Sequence, residues 1–273
     1  MIIFKDNAIT VFQSVLYKTN STIIKTDDVL LVVDPSWLPN EIIGMRHYVE
    51  DNRGKRDVYL IFTHSDYDHI IGYKAFKDIK TIASEEFISN PNKDIIIDQI
   101  KNFDDHYYIT RDYEIAYPEI NYSVREDGQR LNIGDTCLTF YKAPGHTKDS
   151  IFTVIDNLNL LIAGDYCSDI EFPFIYYSST EYEKTLSKLN QIIGIHEVQT
   201  LIPGHGSILC DVNMMQDIQL RSSEYIKQLK FSIANGLDDD LENFVDTIPF
   251  PQSHKKSHKD NIKQILTEVM EKS

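Results

Sequence analysis

Four residues with metal-binding side chains are compressed into His64-Ser65-Asp66-Tyr67-Asp68-His69, which follows the apolar run Val58-Tyr59-Leu60-Ile61-Phe62 after the single residue Thr63. Three more stand at comparable points further on: His146 in Ala143-Pro144-Gly145-His146-Thr147, Asp165 closing Leu160-Leu161-Ile162-Ala163-Gly164-Asp165, and His205 in Pro203-Gly204-His205-Gly206. Imidazole nitrogens and carboxylate oxygens are donors for zinc, iron or manganese, and these seven side chains at strand ends suffice for two ions. Alternate residues on an extended segment share a face, so His64, Asp66 and Asp68 are expected to converge, with His69 turning in where a helix begins.

Such donors need strands to hold them. Residues 9–16 and 21–33 have strand character, the second region folding back at Asp27-Asp28, and 57–62 reads as a strand buried on both faces. A surface helix is expected over 40–51, a helix or turn over 70–76, a short strand at 81–83, and a helix within 85–99 broken near Pro91. Residues 102–125 are less regular. Strands return at 129–131, 136–142, 150–155 and 160–163, with Asp156-Asn157 as a hairpin turn, and a last one at 200–202. Helical spacing marks 184–195, 212–235 and 260–271. The expected organisation is a catalytic domain over 1–209 and a helical tail over 210–273. The acidic run 238–242 in that tail reads as solvated rather than as a calcium site.

Composition narrows the function. The 273 residues carry a formal charge of -15 with no dense run of Lys or Arg, which disfavours long nucleic acids and leaves a small-molecule substrate. Cys137, Cys167 and Cys210 form neither a disulfide framework nor a thiolate metal site, so a reducing, cytoplasmic setting is expected. Cys137 reads as core and Cys167 as packing, and His106 and His196 lack motif support. No segment has the length and apolarity of a membrane span. Tyr166, Phe172, Phe174, Tyr176 and Tyr177 cluster after Asp165; they pack under the tail, line the substrate cleft, or meet a second copy, which leaves a homodimer open.

Taken in order, these motifs resemble the metallo-beta-lactamase-fold hydrolase superfamily, whose first motif reads His-x-His-x-Asp-His and is followed by separate His, Asp and His residues. His64, Asp68, His69, His146, Asp165 and His205 match; Asp66 stands where the second histidine is expected. The resemblance runs from the first strands to Gly206. It implies an α/β fold, a four-layer αββα sandwich, and two divalent metal ions, zinc or else iron or manganese. His64, Asp66 and His146 would form one subsite, Asp68, His69 and His205 the other, and Asp165 would bridge them. Asp34, after a buried strand, would accept a hydrogen bond from a ligating histidine.

The chemistry so implied is hydrolysis of a small ester, lactone or thioester by a metal-bound hydroxide, with Asp68 as the catalytic residue that orients the nucleophile. Aspartate at 66 is shorter than histidine and makes the dimetal cluster formally neutral, a weaker Lewis acid, so occupation of a single subsite is also compatible with the sequence. Behind this leading reading stand three alternatives that the same donors could serve: a small-molecule phosphodiesterase, a diiron oxidoreductase to which Asp66 lends a carboxylate, and a nonenzymatic metal-binding module with a closed cleft.

Overall fold

The strand alternation sorts the apolar residues into three layers in the computed structural model, which describes residues 1–77, 79–237, 245 and 248–272. The acidic run 238–242 lies outside the described residues. One sheet comprises β1 Ile2–Lys5, β2 Ile9–Gln13, β3 Asn20–Lys25, β4 Val29–Val33, β5 Asp57–Ile61, β6 Lys80–Ser84 and β7 Tyr122–Val124, in that spatial order. Its first four strands are antiparallel neighbours, and β4 to β7 run parallel. In the second sheet β8 Gln129–Ile133, β9 Thr136–Lys142, β10 Ile151–Ile155 and β11 Leu160–Gly164 are antiparallel, and β12 Thr200–Pro203 lies parallel to β11.

Seven helices are described: α1 Pro39–Arg53, α2 Tyr67–Ile70, α3 Glu85–Ile88, α4 Lys93–His106, α5 Ser179–Ile195, α6 Val212–Asn235 and α7 Pro251–Lys272. Because successive strand side chains point to opposite faces, Leu30 and Val32 of β4 pack with Ile42 and Met45 of α1, while Val29, Leu31 and Val33 meet Leu160 and Ile162 of β11 between the sheets. Leu161 and Ala163 then face Leu186 of α5 and Ile226 of α6. This is the expected αββα sandwich, a mixed α/β fold with two sheets covered by helices.

The parallel pairings decide where chemistry can occur. β4 and β5 pair in register from Val29↔Asp57 to Val33↔Ile61, so Asp34 and Thr63-His64 leave the sheet together. Likewise Gly164↔Pro203 sets Asp165 beside His205. A backbone bond from Ile151 N to Thr63 O, 2.8 Å, and another from Asn20 N to Gly204 O, 2.6 Å, join the sheets at this end. The carboxyl ends of neighbouring parallel strands are where open α/β sheets place ligands.

Three departures from the sequence reading have physical causes. β1 lies on the sheet edge and is largely exposed, so it carries no buried alternation by which to be recognised. α7 begins at Pro251 rather than near 260, since its first turns are polar on the face away from the core and proline suits a first helical position. Cys137 is half-buried rather than in the core. Among the described residues, no helix is long and apolar enough to cross a membrane.

Candidate metal centre

Strand β5 delivers its exit loop to the seam between the sheets, and there the backbone changes course. The carbonyl of Asp66 accepts from His69 N at 2.9 Å and α2 starts at Tyr67, so Asp68 and His69 are consecutive helical residues. Asp68 therefore does not continue the extended alternation expected after His64 and Asp66; a helix turns each residue by roughly 100° instead of 180°, and Asp66 and Asp68 enter different clusters. Ser36 Oγ donates a short hydrogen bond to the Asp68 carbonyl and fixes that turn.

All seven residues singled out from the sequence meet. His64, Asp66, His146 and Asp165 form one group and Asp68, His69 and His205 another, the donor atoms within each lying inside 4.8 Å of one another. Asp165 connects them. Its Oδ2 is 3.6 Å from His64 Nε2, 3.3 Å from His146 Nε2 and 3.4 Å from His205 Nε2, and its Oδ1 is 3.2 Å from His69 Nε2. Asp66 Oδ2 approaches His146 Nε2 at 3.3 Å, and Asp68 Oδ2 approaches His205 Nε2 at 3.5 Å.

The imidazoles are aimed by what their other nitrogens touch. His69 Nδ1 meets Asp34 Oδ2 at 2.9 Å, His146 Nδ1 meets the Phe174 carbonyl at 2.8 Å, and His205 Nδ1 meets the Tyr17 carbonyl at 2.9 Å. Carbonyls and carboxylates only accept, so each Nδ1 carries the proton and each Nε2 offers a lone pair to the centre. His64 follows by relay. Thr63 donates its hydroxyl to Asp34 Oδ2 at 2.5 Å and is left to accept from His64 Nδ1 at 3.0 Å. Asp34, buried and expected to support one histidine, orients two.

This arrangement fits cations. His69 Nε2 and His205 Nε2 approach to 3.3 Å with both rings protonated on the far side, so two lone pairs face each other. His64 Nε2, His146 Nε2 and Asp165 Oδ1 are buried with no hydrogen-bond partner. A positive charge must balance them, either as protons or as metal. In the metal-free protein, burial opposes charging His69, His146 and His205, but the neighbouring carboxylates outweigh it and raise all three, His205 to about 10. Burial likewise disfavours ionised Asp165, yet His205, His69 and His64 hold it well below the usual carboxylate range.

Above the centre opens a cavity of about 640 Å³, lined by Asp66, Asp68, His146, Asp165 and His205 at its floor. Tyr67, Phe103, Phe174 and Tyr176 supply aromatic walls, and α7 contributes its roof. The aromatic cluster after Asp165 thus divides: Tyr166 and Phe172 are buried in the core, while Phe174 and Tyr176 line the cavity. Cys167 is buried and its thiol is pushed up to about 12 by burial, which suits packing and not nucleophilic attack. His196 sits between Asp156, 2.6 Å, and Tyr141 Oη, 2.7 Å, away from the centre.

Sequence reasoning missed Glu171 and the roof. Glu171 approaches His205 Nδ1 at 4.0 Å, and burial lifts its carboxyl to about 7. No local motif marks it. Asn261 of α7 was also invisible: buried, it accepts from Ile175 N at 2.7 Å and donates to the Pro173 carbonyl at 2.6 Å, clamping the loop whose Phe174 carbonyl aims His146.

The profile of the metallo-beta-lactamase superfamily matches residues 15–205. The chain belongs to the metallo-beta-lactamase superfamily. Within it, the chain is 23% identical over 187 residues to the acyl-coenzyme A thioesterase MBLAC2 of Bos taurus, covering 63% of this chain and 64% of that one. It is 25% identical over 203 residues to a metallo-beta-lactamase type 2 of a Bacillus species (strain 170), covering 72% and 70%. The chain thus spans slightly under two thirds of the thioesterase's length. Among solved structures, a metallo-beta-lactamase family protein of Thermus thermophilus superposes with TM-score 0.60 at 16% identity, over 83% of this chain and 82% of that one. A double mutant of the sec-alkyl sulfatase PisA1 gives TM-score 0.73 at 12% identity, over 97% of this chain and 49% of that one. At these identities the structures speak for the fold. Metallo-beta-lactamase superfamily members are mostly metal-dependent hydrolases, and the fold implies divalent metal binding, typically of zinc; a hydrolase in the general sense is the reading these relatives support.

Proposed function

We propose that the protein hydrolyses small esters, lactones or thioesters with a pair of zinc ions, one held by His64, Asp66 and His146, the other by Asp68, His69 and His205, with Asp165 shared. The observation that carries this reading is the direction of the four imidazoles, each turned by an acceptor at Nδ1 so that Nε2 faces Asp165. When bound, the ions would acidify a water and polarise the acyl oxygen.

The chain's own groups supply the rest. Asp68 lines the cavity, and outside the histidines the one side-chain hydrogen bond to its carboxylate among the described residues is a weak one from Thr19 Oγ1 at 3.4 Å, so the carboxylate would be available to hold the proton of an attacking nucleophile. The aromatic walls shelter the site and offer a surface to a planar or apolar acyl group. Relatives described as an acyl-coenzyme A thioesterase and a beta-lactamase support an acyl substrate. The three free cysteines suit a reducing, cytoplasmic setting.

One observation favours a second reading. With Asp66 in place, each subsite has two imidazoles and its own carboxylate beside the shared Asp165, a donor set that also suits iron and redox chemistry.

The test is metal content by mass spectrometry on protein purified without chelator, combined with an ester, lactone and thioester screen of wild type and Asp68→Asn. Two equivalents of zinc, and a turnover that Asp68→Asn lowers about a hundredfold or more with unchanged metal content, are expected. Full turnover by the loaded variant removes Asp68 from the chemistry. Two equivalents of iron, with dioxygen consumed and no ester cleaved, would favour the second reading.

A further inference from the structure

The helix that roofs the cavity carries a cluster of basic residues in an acidic protein. The chain has 27 Lys and Arg against 42 Asp and Glu, yet α7 opens with His254-Lys255-Lys256-Ser257-His258-Lys259. Helical periodicity divides this stretch into two faces. His258, Asn261 and Ile265 are buried toward the core, whereas Ser253, Lys256, Ser257 and Asp260 recur at i, i+3, i+4 and i+7 and line the cavity together with the buried His254 at the boundary of the two faces.

Lys256 is the one lysine or arginine among the described residues lining that cavity. It is exposed, and no ion pair of Lys256 is found among the described residues. Asp260, one turn on, is paired instead with Lys263 at 3.3 Å. The cavity therefore has three chemically distinct levels: a floor of imidazoles and carboxylates, an aromatic belt of Tyr67, Phe103, Phe174 and Tyr176, and a polar roof of Ser253, His254, Ser257 and Asp260 on which Lys256 is the one lysine or arginine among the described residues. Its volume of about 640 Å³ suits a ligand of drug-like size.

We propose that Lys256 anchors a carboxylate carried by the acyl substrate at the end remote from the scissile bond, making the protein selective for anionic acyl compounds; this rests on the hydrolase reading above. The acyl carbon would reach the floor, the intervening chain would lie along the aromatic belt, and Ser253 and Ser257 would flank the carboxylate. A single carboxylate is favoured over a phosphate dianion because the overall charge of -15 opposes each added negative charge on the ligand.

The experiment compares substrates of equal acyl length, mono-p-nitrophenyl glutarate and neutral p-nitrophenyl valerate, in parallel with calorimetric binding of the stable analogues glutaranilic acid and valeranilide to the metal-loaded protein. Wild type is expected to show a KM and a Kd about tenfold lower for the anionic member of each pair, the preference shrinking as ionic strength rises. Lys256→Gln should abolish the preference by raising KM and Kd of the anionic member of each pair about tenfold, to the level of the neutral one. Lys259→Gln, on the same helix but outside the cavity, should retain it. Equal binding of the two anilides, absence of binding by both, or a preference that survives Lys256→Gln overturns the proposal. If no ester is cleaved while glutaranilic acid still binds in a Lys256-dependent manner, the hydrolase reading fails and the anion anchor stands.

Discussion

Asp34 is the carboxylate through which the metal centre can be weakened without touching a ligand. It is 2% exposed and takes three donors: Thr63 N at 2.9 Å on Oδ1, with Thr63 Oγ1 at 2.5 Å and His69 Nδ1 at 2.9 Å on Oδ2. Asp34→Asn preserves shape, and asparagine accepts the positive φ of 45° at this position better than most residues. The bond from Thr63 N to Oδ1 survives. At the other position an amide NH₂ now confronts two donors. Thr63 must turn its hydroxyl to accept and so donate toward His64 Nδ1, while His69 must give up its Nδ1 proton. Both rings then carry hydrogen on Nε2, where lone pairs are needed. Disturbing such supporting groups typically weakens metal binding about 10- to 100-fold, or roughly 1.4 to 2.8 kcal/mol per ion, and here one ligand in each subsite is affected. Competition with a chromogenic chelator, read beside circular dichroism, measures this. A folded Asp34→Asn protein that holds both ions with wild-type affinity would refute the tautomer argument. Asp34→Ala strands all three buried donors, each worth about 1–3 kcal/mol, and should lower the melting temperature of the metal-free protein as well.

Other perturbations test the surrounding frame. A Cβ at Gly204 would lie 2.3 Å from Asp165 Oδ1 and 2.9 Å from His69 Cε1, so Gly204→Ala should displace the shared carboxylate and reduce bound metal by at least one equivalent; full stoichiometry by mass spectrometry would contradict this. Asn261→Leu leaves Ile175 N and the Pro173 carbonyl without their partner, which should destabilise the fold by about 1–3 kcal/mol per group and weaken the subsite of His146; urea unfolding and chelator competition report the two effects separately. In metal-free protein His205 is raised from its ordinary 6.5 to about 10, so its stabilisation is complete below pH 6.5 and is lost as pH rises toward 10. Asp165, depressed, contributes above its ordinary 3.8 and loses that contribution as pH falls through its lowered value. The melting temperature of metal-free protein should therefore decline between pH 6.5 and 10 while the increment on adding zinc grows, since fewer protons need displacing; a shrinking increment would argue against these ligands.

Legible in the amino-acid order alone are the local features that repeat a known physical pattern. His64 to His69 could be recognised because the donors are dense and follow an apolar run, and the central strands because residues 29–33, 58–62 and 160–163 are apolar throughout. The order of the later motifs then carried the superfamily and, with it, the sandwich. Tertiary structure decided what depends on distant segments meeting. Asp68 belongs with His205 because α2 begins one residue after Asp66. His146 is aimed by a loop that Asn261 holds from more than a hundred residues away in the chain. Glu171 acquires its altered acidity only because folding buries it beside His205. The basic opening of α7 is plain in the sequence, but its meaning is not: a polar helical face reads the same whether it covers solvent or a cavity, and only the packing of its opposite face, through His258, Asn261 and Ile265, places Lys256 in the lining of the cavity above the candidate metal centre.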